Sequence, residues 1–172
     1  AGNVTGYGGV TLAYNNRGRL KSSTMNGMTS NYTYDALGRR IKRNDAGTNT
    51  TVYVYDEFGH LLGEYDGWGV PIQETVWLGD TPVAVLRPNG GTTDIYYVHA
   101  DHLDTPRRVT QSWDGGVRWV WHSDPFGSIP PDDNPQGLGT FVYDARFPGQ
   151  VYESAMGLHY NYFRDYDPQV GR

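Results

Sequence analysis

The amino-acid sequence predicts an all-β fold, an antiparallel meander of β-hairpins. The phrase YDALGR at positions 34–39 recurs in altered form as YNNRGR at 14–19 and as YDEFGH at 55–60. The 172 residues also include 14 Tyr, 23 Gly and 10 Pro. Tyrosine, Trp, Val and Thr fit the pleated surface of a sheet, whereas Gly, Pro, Asn and Asp supply the reversals between strands. A repeated turn phrase in this composition indicates many short strands joined by tight turns.

The repeated phrase has the chemistry of a hairpin tip. Asp35 stands at the first position of a four-residue turn, where its side chain can accept hydrogen bonds from the turn amides. Gly38 stands at the fourth position, where a left-handed conformation is commonly needed after a type I turn. Each copy of the phrase therefore predicts one tip. The same pairing recurs at Asn15 and Gly18, at Asp56 and Gly59, and at Asp66 and Gly69.

Further turn signals divide the rest of the chain. Most turns recur about every ten residues, a spacing that predicts about 16 short antiparallel strands in a continuous meander. Segments between them, such as TTVYVY at 50–55 and IYYVH at 95–99, are rich in β-forming residues. No segment has the pattern of an amphipathic helix, although YESAMG at 152–157 predicts one short helical turn. The additional turns are predicted at Asn26-Gly27, Asp45 to Gly47, Gly79-Asp80, Asn89-Gly90, Asp114-Gly115 and Asp124 to Gly127.

The width of this ribbon limits what the segment can enclose. About 16 strands at ~4.8 Å spacing make a ribbon ~75 Å wide, which closes into a ring only ~25 Å across. A packed domain of about 100 residues is more than ~30 Å across. We therefore expect a compact sheet or one part of a longer shell.

Composition and charge exclude several classes of protein. The net charge is −5 with 19% charged residues, so no basic surface for nucleic acid is expected. The longest apolar stretches, such as VAVL at 83–86, are far shorter than a membrane-spanning helix, and no secretory signal is visible at the N-terminus. The chain has no Cys, which excludes disulfides and thiolate chemistry, and it lacks the motifs of serine hydrolases and phosphate-binding loops. No cofactor is predicted.

One candidate metal site is the HADH motif. It offers His99, Asp101 and His102, and imidazole and carboxylate groups suit zinc or other divalent ions. Strand alternation places His99 and Asp101 on one face and His102 on the other. We therefore predict hydrogen bonding within a turn or sheet, and no metal site.

A pair of tryptophans supports an alternative function. Trp119 and Trp121 would lie on one face of a strand. Paired aromatic rings occur both in cores and in surfaces that stack on sugars. A carbohydrate-binding or adhesion β module, with cell-surface glycans as its partner, is accordingly the second hypothesis.

The repeats resemble a known family. YDALGRR and YDEFGHLLGEYD are similar to the tyrosine-aspartate (YD) repeats of Rhs proteins, which also occur in the C components of insecticidal toxin complexes and in teneurins. Four later blocks resemble the Rhs-associated core, in the order found in the family. The resemblance implies YD repeats at 1–98 and a core segment at 99–172, packed as one continuous β structure. The four blocks are HADHLDTPRRVT, WHSDPFG, RFPGQ and GLHYNYFRDYDPQVGR.

This resemblance implies a function. In the family, a long β-ribbon spirals into a hollow shell that encloses a toxic C-terminal segment of the same polypeptide. The partners implied are that cargo and the rest of the shell. Such proteins are secreted, travel with bacterial secretion systems and toxin complexes, or lie at cell surfaces. We therefore predict a structural shell segment of an Rhs-type toxin that encapsulates and delivers its effector.

The resemblance also implies a cleavage site. Many family members cut their own chain just after the core by an aspartate-based reaction, and Arg164 and Asp165 match the family's arginine and catalytic aspartate. The second acidic motif of the family would follow Arg172, where this sequence stops, so no activity is expected from this segment by itself. The reaction needs two carboxylates with different pKa values. Neighbouring strand residues face opposite sides, so Arg164 and Asp165 are expected to point apart.

Strand edges left unpaired in such a segment predict association with another copy or another chain.

Overall fold

A computed structural model describes residues 3–46 and 49–171. These residues form two antiparallel sheets, with no helix among them, so the all-β prediction is confirmed. The large sheet contains strands β1 to β12 in sequence order, and the small sheet contains β13 to β15. The strands are β1 (Gly6–Tyr7), β2 (Val10–Tyr14), β3 (Leu20–Met25), β4 (Met28–Tyr34), β5 (Arg40–Asp45), β6 (Thr50–Tyr55), β7 (Leu61–Asp66), β8 (Pro71–Leu78), β9 (Thr81–Asn89), β10 (Thr92–Ala100), β11 (Pro106–Gln111), β12 (Val117–Val120), β13 (Val151–Glu153), β14 (Leu158–Asn161) and β15 (Arg164–Tyr166).

The repeated phrases form hairpin tips, as their sequences predict. In the tip between β4 and β5, the Gly38 amide donates to the Asp35 carbonyl at 3.1 Å, and Gly38 has φ +86°. The Asp35 carboxylate accepts from the Arg39 amide at 2.8 Å. Among the other predicted turns, Gly47 lies outside the described residues. The remaining phrases and turns join consecutive strands at residues 15–18, 26–27, 56–59, 66–69, 79–80, 89–91 and 112–116.

Aromatic residues at or next to the ends of β4, β6 and β8 tie their hairpins to the preceding ones. The polar atom of each donates to the carbonyl of the residue that opens the strand after the previous tip. One repeat of 20 to 21 residues comprises two strands and two turns. These bonds run from Tyr34 to Leu20 at 2.8 Å, from Tyr55 to Arg40 at 3.0 Å, and from the Trp77 indole to Leu61 at 3.1 Å.

The basic residues after two of the tip glycines, Arg39 and His60, reach forward to the next tip. Arg39 Nη1 donates to the Asp56 carbonyl at 2.9 Å. His60 Nε2 lies 2.9 Å from Asp80 Oδ1 in the following tip. Burial opposes a charge on His60, but its hydrogen bonds to Asp56 and Asp80 raise the pKa of the imidazole above its ordinary value. Neighbouring tips are therefore held in a fixed row along one edge of the large sheet.

The continuous meander ends after β12, which corrects the prediction of about 16 strands in one ribbon. Residues 121–150 form no strand, and only one isolated bridge, from Val120 to Asp132, extends the large sheet. The turn predicted at Asp124 to Gly127 is present, but it joins no two strands. Proline has no amide hydrogen for a ladder, and this segment is rich in it. Its prolines are Pro125, Pro130, Pro131, Pro135 and Pro148.

The helical turn predicted at 152–157 is shorter than expected: it begins at Glu153, whose carbonyl accepts from the Gly157 amide at 2.8 Å, and it does not continue into a helix. Residues 151–153 are β13, and 154–157 form the turn that leads into β14. The division between residues 98 and 99 that the resemblance implies lies inside β10, and it stays a prediction. No part of the described chain forms a helix long and apolar enough to cross a membrane.

One face of the large sheet, here called the inner face, carries most of the buried side chains. Residues 121–150 and the small sheet pack against it. One cluster joins the last strands of the large sheet to residues 141–147, and another joins the first strands to the turn before β14. The clusters contain Val85, Tyr96, Val98, Val109, Trp119, Trp121, Phe141 and Tyr143, and Val10, Leu12, Leu20, Tyr32, Met156 and Leu158, respectively.

The left-handed tip position can be tested at Gly59. This residue has φ +94°, and a Cβ atom there would meet no other atom within 4 Å. Gly59→Ala should therefore lower the free energy of unfolding by about 1–2 kcal/mol through backbone strain alone. Urea unfolding followed by fluorescence measures this loss.

The matched control is Glu57→Ala in the same tip, where the side chain is exposed. Its free energy of unfolding should stay within about 0.5 kcal/mol of wild type. Equal effects of the two substitutions would show that the tip does not need a left-handed residue.

Candidate functional site around Asp165

The small sheet positions Arg164 and Asp165 on opposite sides of β15. Asp165 pairs with Tyr160 of β14, and Arg164 pairs with Asn161. The Arg164 side chain is exposed, whereas Asp165 is largely covered. The two residues differ in exposure and form no ion pair with each other, although both line the same cavity.

Asp165 lies at a cavity of about 520 Å³ between the small sheet and the first strands of the large sheet. Its Oδ1 is buried and has no hydrogen-bond partner among the described residues. A buried carboxylate oxygen without a donor is costly and calls for an explanation. The burial of Asp165 is therefore not explained by a structural ion pair.

Tyrosines form the wall of this cavity, and their hydroxyls are already bonded. Tyr34 donates to the Leu20 carbonyl at 2.8 Å, and Tyr160 accepts from the Arg40 amide at 2.8 Å. Tyr7 and Tyr14 donate to the backbone carbonyls of Met156 and Val4, and Tyr162 donates to the Leu37 carbonyl at 3.5 Å. The rings thus form a largely apolar wall around the carboxyl, and Arg19 and Arg164 also line the cavity.

The surroundings change the acidity of Asp165. Burial raises the pKa of this carboxyl to about 6, the Arg40 charge lowers it, and the Glu153 charge raises it further. A carboxyl with such a pKa is partly protonated near neutral pH. It can donate or accept a proton, which an ordinary aspartate does poorly at that pH.

A buried ionic cluster lies beneath the site. Glu153 at the end of β13 is 0% exposed and binds Arg40 Nη1 at 2.9 Å and Arg43 Nη1 at 2.9 Å. Both arginines belong to β5, so the cluster fastens the small sheet to the large one. The Arg40 guanidinium also lies over the ring of Tyr160, 4.1 Å from its centroid.

Sequence reasoning did not identify this cluster. The partners are separated by 113 residues for Arg40 and by 110 for Arg43, so no local spacing links them to Glu153. The available signal was strand alternation, which places Arg43 opposite the buried Tyr32. This position predicts that the Arg43 guanidinium pairs with a buried acidic group, but it does not identify that group.

The HADH motif forms a turn. The Asp101 carboxylate accepts from the Leu103 amide at 2.9 Å and binds Arg107 Nε at 2.8 Å. Asp104 has φ +59° and takes the place that glycine has in the other tips. His99 contacts Thr110 at 3.0 Å. Within residues 3–46 and 49–171, no group of three His, Cys, Asp or Glu side chains could hold a metal ion.

Trp119 and Trp121 share one face, but the structure corrects their assignment to a sugar-stacking surface. Both are 0% exposed. Tyr143 packs edge-on against Trp119 at 5.3 Å, and the guanidinium of Arg146 lies over Trp121 at 5.4 Å. Because residues 141–147 cover these rings, their faces are not available to a sugar.

Comparisons with known proteins agree with this architecture. A family model described as the teneurin YD-shell matches residues 2–172. Double-stranded DNA deaminase toxin A of Burkholderia cenocepacia is 27% identical over 164 residues, covering 82% of this chain and 11% of that protein. Toxin protein Tse5 of Pseudomonas aeruginosa is 33% identical over 85 residues (49% and 6%), and teneurin-1 of Gallus gallus is 26% identical over 168 residues (96% and 6%).

Solved structures share the fold. The Tc holotoxin pore of Photorhabdus luminescens aligns with a TM-score of 0.61 at 19% identity, over 98% of this chain and 9% of that one. The crystal structure of TcdB2-TccC3 aligns with a TM-score of 0.64 at 19% identity, over 96% and 9%. This chain therefore spans a small part of each protein that it resembles.

The buried ion pair can be tested with Glu153→Gln. The substitution keeps the side-chain size but leaves the buried Arg40 charge without its carboxylate partner, whereas Arg43 keeps its ion pair with Asp45 at 3.0 Å. We expect the free energy of unfolding to fall by about 3 kcal/mol or more. Urea unfolding measures the loss. The exposed substitution Glu57→Gln is the control, and a loss below about 1 kcal/mol for Glu153→Gln would contradict a structural role for the pair.

The acidity of Asp165 predicts a dependence of stability on pH. The folded-state pKa of about 6 lies above the ordinary 3.8, so the folded state holds the proton more tightly than the unfolded chain. Ionised Asp165 therefore destabilises the fold above pH 6, and this cost disappears as the pH falls towards 4. At pH 7.5, Asp165→Asn should be more stable than wild type by on the order of 2 kcal/mol.

Urea unfolding of both proteins between pH 4.5 and 7.5 measures the difference. Burial also raises the pKa of Asp144 to about 6, but both proteins keep Asp144, so their difference isolates Asp165. The difference should shrink as the pH falls. A constant difference, or a less stable variant at pH 7.5, would show that Asp165 has an ordinary pKa.

Proposed function

Because the chain belongs to the teneurin YD-shell family, we propose that it is part of the wall of a toxin shell that encloses a C-terminal effector of the same polypeptide. The Rhs and YD-repeat resemblance of the sequence is confirmed, and the structural role of a shell segment follows from the family. Enclosure of an effector, and delivery of that effector out of the producing cell, are the proposed steps.

The position of the C-terminal residues supports enclosure. Residues 141–171 pack on the inner face of the large sheet, and Val170 lines the Asp165 cavity. In a polypeptide that continues past residue 172, the next segment would begin beside this face. Cargo that lies against the inner face of the large sheet would be enclosed by that sheet.

The relatives support a toxin as the cargo. Two of them carry the names of toxins, and one of those is named as a DNA deaminase. Since the matched region is only 6–11% of these proteins, the rest of each chain has room for an effector and for further wall. We propose that the parent polypeptide of this chain likewise contains an effector and further segments of wall.

Asp165 is proposed as one carboxyl of a self-cleavage reaction that separates the effector from the wall. Its raised pKa suits an acid that donates a proton to the leaving amine. The reaction needs a second, ionised carboxylate, which would come from a segment beyond residue 172. Arg164 is exposed and forms no ion pair with Asp165, so in this proposal it binds the downstream segment.

The experiment is mass spectrometry of the full parent gene product, comparing wild type with Asp165→Asn. Wild type should yield two fragments, with the cut a few residues beyond Arg172, whereas the variant should remain one chain. After cleavage, the downstream fragment should co-elute with the wall in native chromatography and resist added protease. Cleavage tests the catalytic role of Asp165. Protection of the downstream fragment from protease tests its enclosure.

The matched control is Asp133→Asn, which changes an exposed aspartate. It should cleave like wild type. Intact wild type, or cleavage that continues in Asp165→Asn, would refute the catalytic role of Asp165. A downstream fragment that separates from the wall or is digested at once would refute enclosure.

A further inference from the structure

A second cavity lies between the inner face of the large sheet and the C-terminal part of the chain. Its volume is about 440 Å³, within the range of cavities that bind small molecules. One side is lined by β6 to β9 and the turns between them, and the other by residues 143–151 and 160–162. This space is called the Glu64 cavity, after a carboxylate that lines it. It does not include Asp165.

The Glu64 cavity extends from an exposed rim to a buried floor. At the rim, Phe58 is 79% exposed, and the side chain of Asp80 is 85% exposed. At the floor, Tyr143 is 3% exposed and Arg146 is 5% exposed. A small molecule can therefore enter from solvent and reach buried polar groups.

Aromatic rings form much of the wall. Two of them are held in place by their polar atoms: Tyr55 donates to the Arg40 carbonyl at 3.0 Å, and Trp77 donates to the Leu61 carbonyl at 3.1 Å. A wall that is fixed before binding loses little entropy when a ligand enters, and the faces of aromatic rings attract cations. The aromatic wall comprises Tyr55, Phe58, Trp77, Phe147, Tyr160 and Tyr162.

Glu64 places a carboxylate among these rings. Its Oε1 accepts from Gln73 Nε2 at 2.6 Å, and no described residue forms an ion pair with it. Burial raises the pKa of this carboxyl above its ordinary value, although the Gln73 bond and the charges of Arg87, Arg43 and Arg40 lower it. The protein thus balances the charge on Glu64 only in part, which favours a cation in the cavity.

The Tyr143 hydroxyl is a second unused group in the Glu64 cavity. It is buried and has no hydrogen-bond partner among the described residues. Burial raises the pKa of this hydroxyl, and the Glu64 charge raises it further, so the two groups lie near each other. An ammonium group has three donors, so it can donate to the Glu64 carboxylate and to the Tyr143 oxygen together.

The basic residues that line the cavity are already bonded elsewhere. Arg146 Nη1 donates to two backbone carbonyls at 2.9 Å. The two ring nitrogens of His60 contact Asp56 and Asp80. Since neither residue forms an ion pair with Glu64, its carboxylate is left for a ligand.

We propose that the Glu64 cavity binds an organic ammonium ion. The ammonium group lies between Glu64 and Tyr143, and the apolar body of the ligand packs against the aromatic wall. Such an ion is either a free amine or the side chain of a lysine in a polypeptide, and the probes below distinguish these two sources. The proposal goes beyond the role in a shell and does not depend on the enclosure of an effector.

An NMR titration with three probes of one shape tests the charge that the cavity prefers. 2-Phenylethylamine carries an ammonium group, 2-phenylethanol a hydroxyl and phenylacetate a carboxylate. At pH 7.5 the amine should bind at least about tenfold more tightly than the alcohol, because its bond to Glu64 is charge-assisted, and phenylacetate should bind most weakly. The amides of residues 145–151 should shift. Equal affinities of amine and alcohol, or no binding of the amine up to about 10 mM, would overturn the proposal.

Two variants test the residues that hold the ammonium group. Glu64→Gln should weaken binding of the amine at least about tenfold, with little change for the alcohol. Tyr143→Phe should weaken it about fivefold. Glu74→Gln is the matched control, because alternation between Gln73 and Thr75, which line the cavity, places Glu74 on the other face. Unchanged binding of the amine to folded Glu64→Gln and Tyr143→Phe would refute the site.

A second pair of probes identifies the source of the ammonium group. A capped glycine-lysine-glycine peptide is compared with its norleucine analogue, which lacks the ammonium group. If the cavity takes a lysine side chain, the lysine peptide should displace 2-phenylethylamine and the norleucine peptide should not. If neither peptide binds but the amine does, the ligand is a free amine. Equal displacement by both peptides would contradict recognition of an ammonium ion.

Discussion

The buried guanidinium of Arg40 is the interaction on which the two sheets depend. Arg40 opens β5 in the large sheet, and its charge is balanced by Glu153 of the small sheet at 2.9 Å. Its amide also donates to the Tyr160 hydroxyl at 2.8 Å. A buried charge without its partner costs several kcal/mol. The large sheet therefore carries a charge that only the C-terminal residues can satisfy, which makes those residues an integral part of the wall.

The same contact positions the candidate site. The Arg40 amide donates to the Tyr160 hydroxyl, and Tyr160 pairs with Asp165 between β14 and β15. The Tyr160 ring packs on the Arg40 guanidinium and also lines the cavity of Asp165, where burial raises the pKa of the carboxyl to about 6. One arrangement of apolar rings around buried charges thus accounts for both the attachment of the small sheet and the unusual acidity of its aspartate.

Prediction from sequence succeeded where the cause is local. A tip such as 35–38 is specified by its own Asp and Gly, because the turn bonds lie within a few residues. The face shared by Trp119 and Trp121 was also predicted by alternation. Their burial was not, because it depends on residues 141–147 folding back over them. Glu153 was missed for the same reason, since its partners on β5 are more than a hundred residues away.

Native-state hydrogen exchange would test most directly whether the small sheet and the ribbon form one cooperative unit. The amides of β14 and of β5 should exchange with the same free energy of opening and the same dependence on urea, because neither strand can leave without exposing the cluster. Exchange of β14 at a free energy several kcal/mol lower, with β5 still protected, would contradict this account. The C-terminal strands would then be a separable appendage of the wall.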